Sequence, residues 1–208
     1  SRMLAGKPDR ASRLVLAVDA VGEYADELAS QCDLRGGELV QVWSDEFRIS
    51  ELEDADLSDE DRSTLEENAA PAPGAELDWA RARFGSEAFV KGVVCISDHG
   101  LATAERISDA LSCNANGIDA SRRDKVAMAD RVAGAGLAAV RQRLARTWEE
   151  ADAFLQTLPE GEPCVIKPRR GCASVGVYKA ASRREARAAF TVLQGMPVSI
   201  DTAVDVSE

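Results

Sequence analysis

The 208 residues suffice for one large domain or two small ones, and 45% apolar with 29% charged types is an ordinary globular composition. No run approaches the roughly 20 consecutive apolar residues of a membrane span; with no signal-peptide-like stretch at the start, no membrane partner and a cytoplasmic location are expected. The net charge of −11 lacks the basic footprint of nonspecific duplex binding, so no nucleic-acid partner is expected.

Arg13–Asp19 (RLVLAVD) is a short apolar run of the buried-strand type. Gly22–Cys32 carries Tyr24, Leu28 and Cys32 at helical spacing, and Glu38–Trp43 reads as a second strand. From Asp45 to Glu67, eleven acids meet only Arg48 and Arg62, a local net of −9, and an Ala-Pro-Ala-Pro-Gly run fills 70–74. That composition buries too little apolar surface to offset ordering entropy, which predicts a long acidic mobile loop over 44–75 with at most one fragile helix. Glu66-Glu67-Asn68 looks like a metal-ligand cluster but has no rigid element to hold it there. Ala75–Phe84 carries Leu77, Ala80, Arg81 and Phe84 at helical spacing. Val90–Ser97 (VKGVVCIS) is a third buried-type strand, followed by a helix over Leu101–Leu111. Strands alternating with helices predict a mostly parallel, helix-covered sheet, with ligands at the carboxyl ends of its strands.

The second half changes character. Ser121 is a good N-cap for a helix reaching Ala133, with Val126, Ala129 and Ala133 as its apolar stripe and Gly134 or Gly136 as its stop. Ala138–Leu144 alternates as a half-exposed strand does. Thr147 caps the next helix, and Glu150 completes a capping box. Cys164–Lys167 and Val175–Lys179 flank a short loop and read as an antiparallel hairpin. Ser182–Leu193 is a final Arg-rich amphipathic helix. The division predicted is a Rossmann-like α/β domain over 1–113 and a small α+β subdomain over 114–208.

The five cysteines are odd in number, widely spaced and without a Cys-x-x-Cys pair, which fits reduced thiols rather than a disulfide framework or a zinc site. Most suit core positions; Cys172, in a Gly-containing turn, is the candidate for exposure. His99 is the sole histidine, so no multi-histidine metal site can form. Outside the acidic segment the chain sums to only −2, and Arg122–Arg146 and Lys167–Arg187 are basic. Such a chain can present a positive cleft to a small anion; solvated helix faces are the alternative.

The segment Lys167-Pro-Arg-Arg-Gly-Cys-Ala-Ser-Val-Gly-Val177 carries the most chemical information. Small residues at Gly171, Ser174 and Gly176 leave backbone N–H groups uncovered for a phosphate, and Lys167, Arg169 and Arg170 add charge beside them. An ordinary surface hairpin with a glycine turn has the same composition. Arg122, Arg123 and Lys125 crowd a helix start, where cations oppose the macrodipole unless an anion lies nearby. Gly134-Ala-Gly136-Leu-Ala-Ala139 matches a dinucleotide fingerprint only in letters, because a helix precedes it and a strand-like run follows.

Three segments in this order resemble the ATP-grasp superfamily of carboxylate–amine or carboxylate–thiol ligases. They are the third strand running into Ser97-Asp-His-Gly-Leu-Ala-Thr-Ala104, the run Asn114-Ala-Asn-Gly-Ile-Asp-Ala-Ser-Arg-Arg-Asp-Lys-Val-Ala-Met128, and Val165-Ile-Lys-Pro with its small-residue loop. The resemblance covers about residues 13–195 and implies a pre-ATP-grasp domain followed by the first ATP-grasp subdomain. It implies that Lys125 and Lys167 contact ATP phosphate, with Arg169, Arg170, Gly171, Ser174 and Gly176 in a flap over the triphosphate. It further implies ATP and Mg2+ as cofactors, small carboxylate and amine or thiol substrates, and an acyl-phosphate intermediate. The tail Met196–Glu208 is too short for the second subdomain, where the magnesium ligands are expected, so the chain alone is expected to be inactive. The alternative is a non-catalytic nucleotide-binding or protein-interaction module on half of this fold, and oligomer formation stays open.

Overall fold

The computed structural model describes residues 13–53, 56–85, 89–159, 161–171, 174–196 and 204–207, the backbone alone for Phe89 and 204–207. The chain divides into two compact units, Ser1–Asp119 and Ala120–Glu208, a division that falls slightly beyond Cys113.

In the first unit, β1 (Arg13–Val18) leads into α1 (Gly22–Asp33), β2 (Gly37–Val42), α2 (Asp45–Leu52), α3 (Asp59–Glu67), α4 (Glu76–Phe84), β3 (Phe89–Cys95) and α5 (Leu101–Ala110). The strands form a parallel sheet in the order β2-β1-β3, which matches the α/β reading. Alternation along β1 sorts its side chains to two faces. Ala17 packs with Ala25, Cys32 and Leu39 on the α1 side, while Leu16 and Val18 pack with Val42, Ala104 and Ile107 on the other.

Residues 44–75 differ from the expected loop: they contain two helices. Ser44 and Ser58 accept from the amides of Phe47 and Asp61 at 3.3 and 3.1 Å, so each helix begins on an oxygen cap. Asp45 and Glu46 in one first turn, and Asp59, Glu60 and Asp61 in the other, lie where the helix dipole favours negative charge. The acids that looked like a reason for disorder are thus placed where helices favour them. The segment is also anchored. Leu65 is buried, Trp43 stacks on Phe47 at 5.2 Å, and the Trp43 amide and carbonyl bond to Asn68 and Ala70. Arg48 bridges Asp45 at 3.0 Å and Glu66 at 2.6 Å. Asn68 accepts from Arg83, so Glu66 and Asn68 are occupied structurally.

The second unit starts with a short 3-10 turn, Ala120–Arg123, and continues through α6 (Lys125–Gly134), β4 (Gln142–Ala145), α7 (Trp148–Leu155), β5 (Cys164–Pro168), β6 (Tyr178–Ala180), α8 (Arg183–Gly195) and β7 (Val204–Ser207). Its antiparallel sheet runs β4-β7-β5-β6. The hairpin expected between β5 and β6 is present, with Cys164 opposite Ala180 and Ile166 opposite Tyr178. The second strand begins later than its apolar residues suggest, because Ser174 and Gly176 both adopt positive φ. The capping box at Thr147 forms, and Ser182 caps α8 in the same way: Thr147 accepts from the Glu150 amide and Ser182 from the Glu185 amide, each at 3.3 Å. Ala186, Ala189, Phe190 and Leu193 of α8 lie on one helical face and pack on Ile166, Ala145 and Ala151.

Three readings in this unit need correction. The cap of α6 is Asp124 rather than Ser121, because the Asp124 carboxylate takes two helix amides. The alternating run 138–144 contributes only its end, since β4 finds its ladder partner over Gln142–Ala145 alone. The helix over 182–193 is not the final element: Val204–Ser207 forms β7, inserted between β4 and β5. The Gly134–Ala139 decoy is a helix stop, as expected. Gly136 has φ 75°, and the Gly136 and Leu137 amides return to the carbonyls of Ala133 and Val132.

Candidate functional site

Lys125 is the first residue of α6, a position that its charge disfavours. Asp124 offsets this from below. One carboxylate oxygen accepts from the Val126 and Ala127 amides at 3.1 Å each, and the other pairs with Arg169 at 2.5 Å. Burial pushes the Asp124 carboxyl up, but the bonds from Arg169 and from the two amides outweigh it and hold the group below its ordinary value.

The backbone of Lys125 is fixed on both sides. Its amide donates to the Arg169 carbonyl at 3.1 Å, and its carbonyl accepts from the Gln142 side chain at 2.8 Å. Its ammonium donates to the Gly171 carbonyl at 3.1 Å. The structure therefore brings Lys125, Arg169 and Gly171 together. Lys167 sits half-buried on β5, two residues before Arg169, opposite Asp205 of β7. Arg170 is half-buried, and its Nε is enclosed with no hydrogen-bond partner among the described residues. Gly171, Ser174 and Gly176 all have positive φ, of 140°, 60° and 72°. At Gly176 a Cβ would meet the Leu193 side chain at 2.8 Å, so this turn needs glycine.

Sequence reasoning missed Asp124 and Gln142. The signal for Asp124 was present, because an aspartate directly before a helical stripe is as good a cap as a serine three residues earlier. Nothing in the sequence marks Gln142, whose role depends on β4 lying beside α6.

The remaining singled-out residues fall elsewhere. Cys32 and Cys164 are buried and Cys95 and Cys113 half-buried, all as thiols rather than disulfides, while Cys172 lies outside the described residues. His99 stands in the loop before α5, 3.9 Å from Glu46. Among the described residues no group of three His, Cys, Asp or Glu is placed to hold a metal, and no helix is long and apolar enough to cross a membrane. A cavity of about 220 Å³ lies at the other end of β5, lined by Leu155, Cys164, Ser182 and Arg183.

No protein-family model matches the chain, and neither does any curated protein. Solved structures do. The L-amino acid ligase from Bacillus licheniformis superposes with a TM-score of 0.57 at 15% identity, over 96% of this chain and 44% of its own. The RimK domain ATP-grasp protein from Sphaerobacter thermophilus gives 0.54 at 18%, over 95% and 64%. The VanG D-Ala:D-Ser ligase from Enterococcus faecalis gives 0.57 at 16%, over 95% and 62%. The chain has a partial ATP-grasp fold. It corresponds to the N-terminal portion of such ligases and spans less than two thirds of each of these three proteins. At these identities the likeness is one of fold. Within that ATP-grasp frame, the residues singled out on chemical grounds gather at the start of α6 and the end of β5.

Proposed function

We propose that this chain is the N-terminal portion of an ATP-dependent ligase joining a small carboxylate to an amine or thiol. Lys125 and Lys167 contact the phosphates of ATP, and Arg170, Gly171, Ser174 and Gly176 line the phosphate loop. Arg169 belongs to the same loop. The observation that carries the reading is the bond from the Lys125 ammonium to the loop that follows Lys167, which joins the two lysine-bearing segments.

The residues fit a polyphosphate. Arg170 offers an enclosed donor without a partner among the described residues, and the glycine backbone leaves room for close approach. The fold supports the same conclusion at a coarser level, since its structural neighbours are ligases. In the proposed reaction the substrate carboxylate attacks the γ-phosphorus, ADP leaves, and the resulting acyl phosphate is opened by the amine or thiol with release of phosphate. The two ammonium groups stabilise charge on the transferred group and hold it in line. Mg2+, when bound, would neutralise charge on the phosphates; among the described residues no group of three His, Cys, Asp or Glu is placed to hold it.

The test is ADP formation by the complete gene product with a panel of amino acids. Lys125→Ala and Lys167→Ala are each expected to lower turnover by about 10²–10³-fold, the usual effect of removing one donor to a developing charge. Turnover unchanged in both variants overturns the proposal.

A further inference from the structure

We infer that Asp124 and Arg169 form a clasp that sets the spacing between Lys125 and Lys167, with Arg169 a positioning residue rather than a phosphate ligand. The inference rests on the reading of the two lysines given above. Two neighbouring residues, Asp124 and Lys125, make two cross-links to Arg169. The Asp124 carboxylate pairs with the Arg169 guanidinium, and the Lys125 amide bonds to the Arg169 carbonyl. Lys125 is covalently next to Asp124, and Lys167 is two residues before Arg169 on a strand held in register by β6 and β7. Fixing residue 169 against residues 124 and 125 therefore fixes one lysine-bearing backbone against the other.

Burial decides between clasp and ligand. The Asp124 side chain is 5% exposed and that of Arg169 25%. Turning the guanidinium toward a phosphate would strand a buried carboxylate, the costly half of a broken buried pair. The other Asp124 oxygen is occupied by the α6 amides. An enclosed Nε does not separate the two arginines, since Arg169 has one as well; what separates them is the carboxylate, which Arg169 holds and Arg170, among the described residues, does not, so Arg170 is the arginine suited to the anion.

The experiment uses Asp124→Asn, which keeps a good helix cap but removes the charge, together with Arg169→Met and Arg169→Lys. Inorganic tripolyphosphate binding to the 208-residue chain is measured by calorimetry, and exchange of the Lys125 amide by NMR. The clasp predicts that Asp124→Asn and Arg169→Met each weaken binding about tenfold and speed exchange at Lys125, and that the double variant is no worse than either single one. Arg169→Lys, which keeps a cation on Asp124, recovers part of both. If Arg169→Met weakens binding while Asp124→Asn does not, Arg169 is a direct ligand and the clasp is overturned. Unchanged Lys125 exchange in both variants overturns it whatever the binding shows. The reading of the site fails separately, if Lys125→Ala and Lys167→Ala bind tripolyphosphate as tightly as the unaltered chain.

Discussion

Asp19 shows how one residue gathers constraints at the carboxyl end of the first sheet. It is 2% exposed, has φ 53°, and accepts from both the amide and the hydroxyl of Ser44, at 2.8 and 2.7 Å. Gly100 approaches so closely that a Cβ there would meet the Asp19 carboxylate at 2.5 Å. Burial pushes the Asp19 carboxyl above its ordinary value, against the lowering effect of the Ser44 bonds and of His99. The sign follows from linkage. Once pH exceeds the ordinary carboxylate value of about 4, the unfolded chain gives up this proton while the folded chain keeps it, so Asp19 costs stability as pH rises through that window. Asp19→Asn removes this decline. Urea midpoints of the variant, taken relative to the unaltered chain, are expected to improve as pH rises above about 4 and to level off once the folded-state carboxyl ionises as well. Parallel curves would show that Asp19 titrates normally.

At the scale of elements, caps decide where helices begin, and caps are partly legible in sequence. Thr147 with Glu150, and the start of α8 at Ser182, stand where the spacing puts them because both box residues are local. The core strands were legible for the same reason: β1, β2 and β3 are apolar runs bounded by turn residues. What escaped the sequence depends on distant partners. Residues 44–75 look too acidic to fold until Trp43 pairs with Asn68 and Ala70 across the segment. The four residues of β7 count as a strand only because β4 and β5 flank them. Of the site, the lysines and glycines were visible as residue types at a spacing, but Asp124 was read as an ordinary helix residue and Gln142 not at all. Ser44 and Ser182 make this difference measurable. Ser182 only caps its helix, so Ser182→Ala is expected to cost about 1 kcal/mol. Ser44 caps α2 and also bonds a buried carboxylate, so Ser44→Ala is expected to cost about 2–3 kcal/mol, cap and orphaned acceptor together. Urea unfolding gives both values, and equal costs would mean that the Asp19 bond contributes nothing.

On the scale of the whole molecule, the charge divides with the fold. Ser1–Asp119 holds 25 acidic and 11 basic residues, a net of −14, whereas Ala120–Glu208 holds 11 acidic and 14 basic residues, a net of +3. Every residue proposed to meet phosphate belongs to the second unit. A polyanion binding there meets two opposed influences: local attraction from Lys125, Lys167 and Arg170, and the chain's net charge of −11. Salt separates them, because the screening length shrinks from about 10 Å at 0.1 M to about 3 Å at 1 M, so distant charges fade before contacting ones. If local cations govern, tripolyphosphate affinity falls as salt rises, by about tenfold between 0.05 and 0.5 M NaCl for a few exposed contacts. If the net charge governs, affinity rises over the same range as its repulsion is screened. Calorimetric titrations at four salt concentrations decide the sign, and the local-cation reading predicts a continuous decline. A rise would mean that the net negative charge, rather than the lysine pair, sets how readily this chain accepts a phosphate chain.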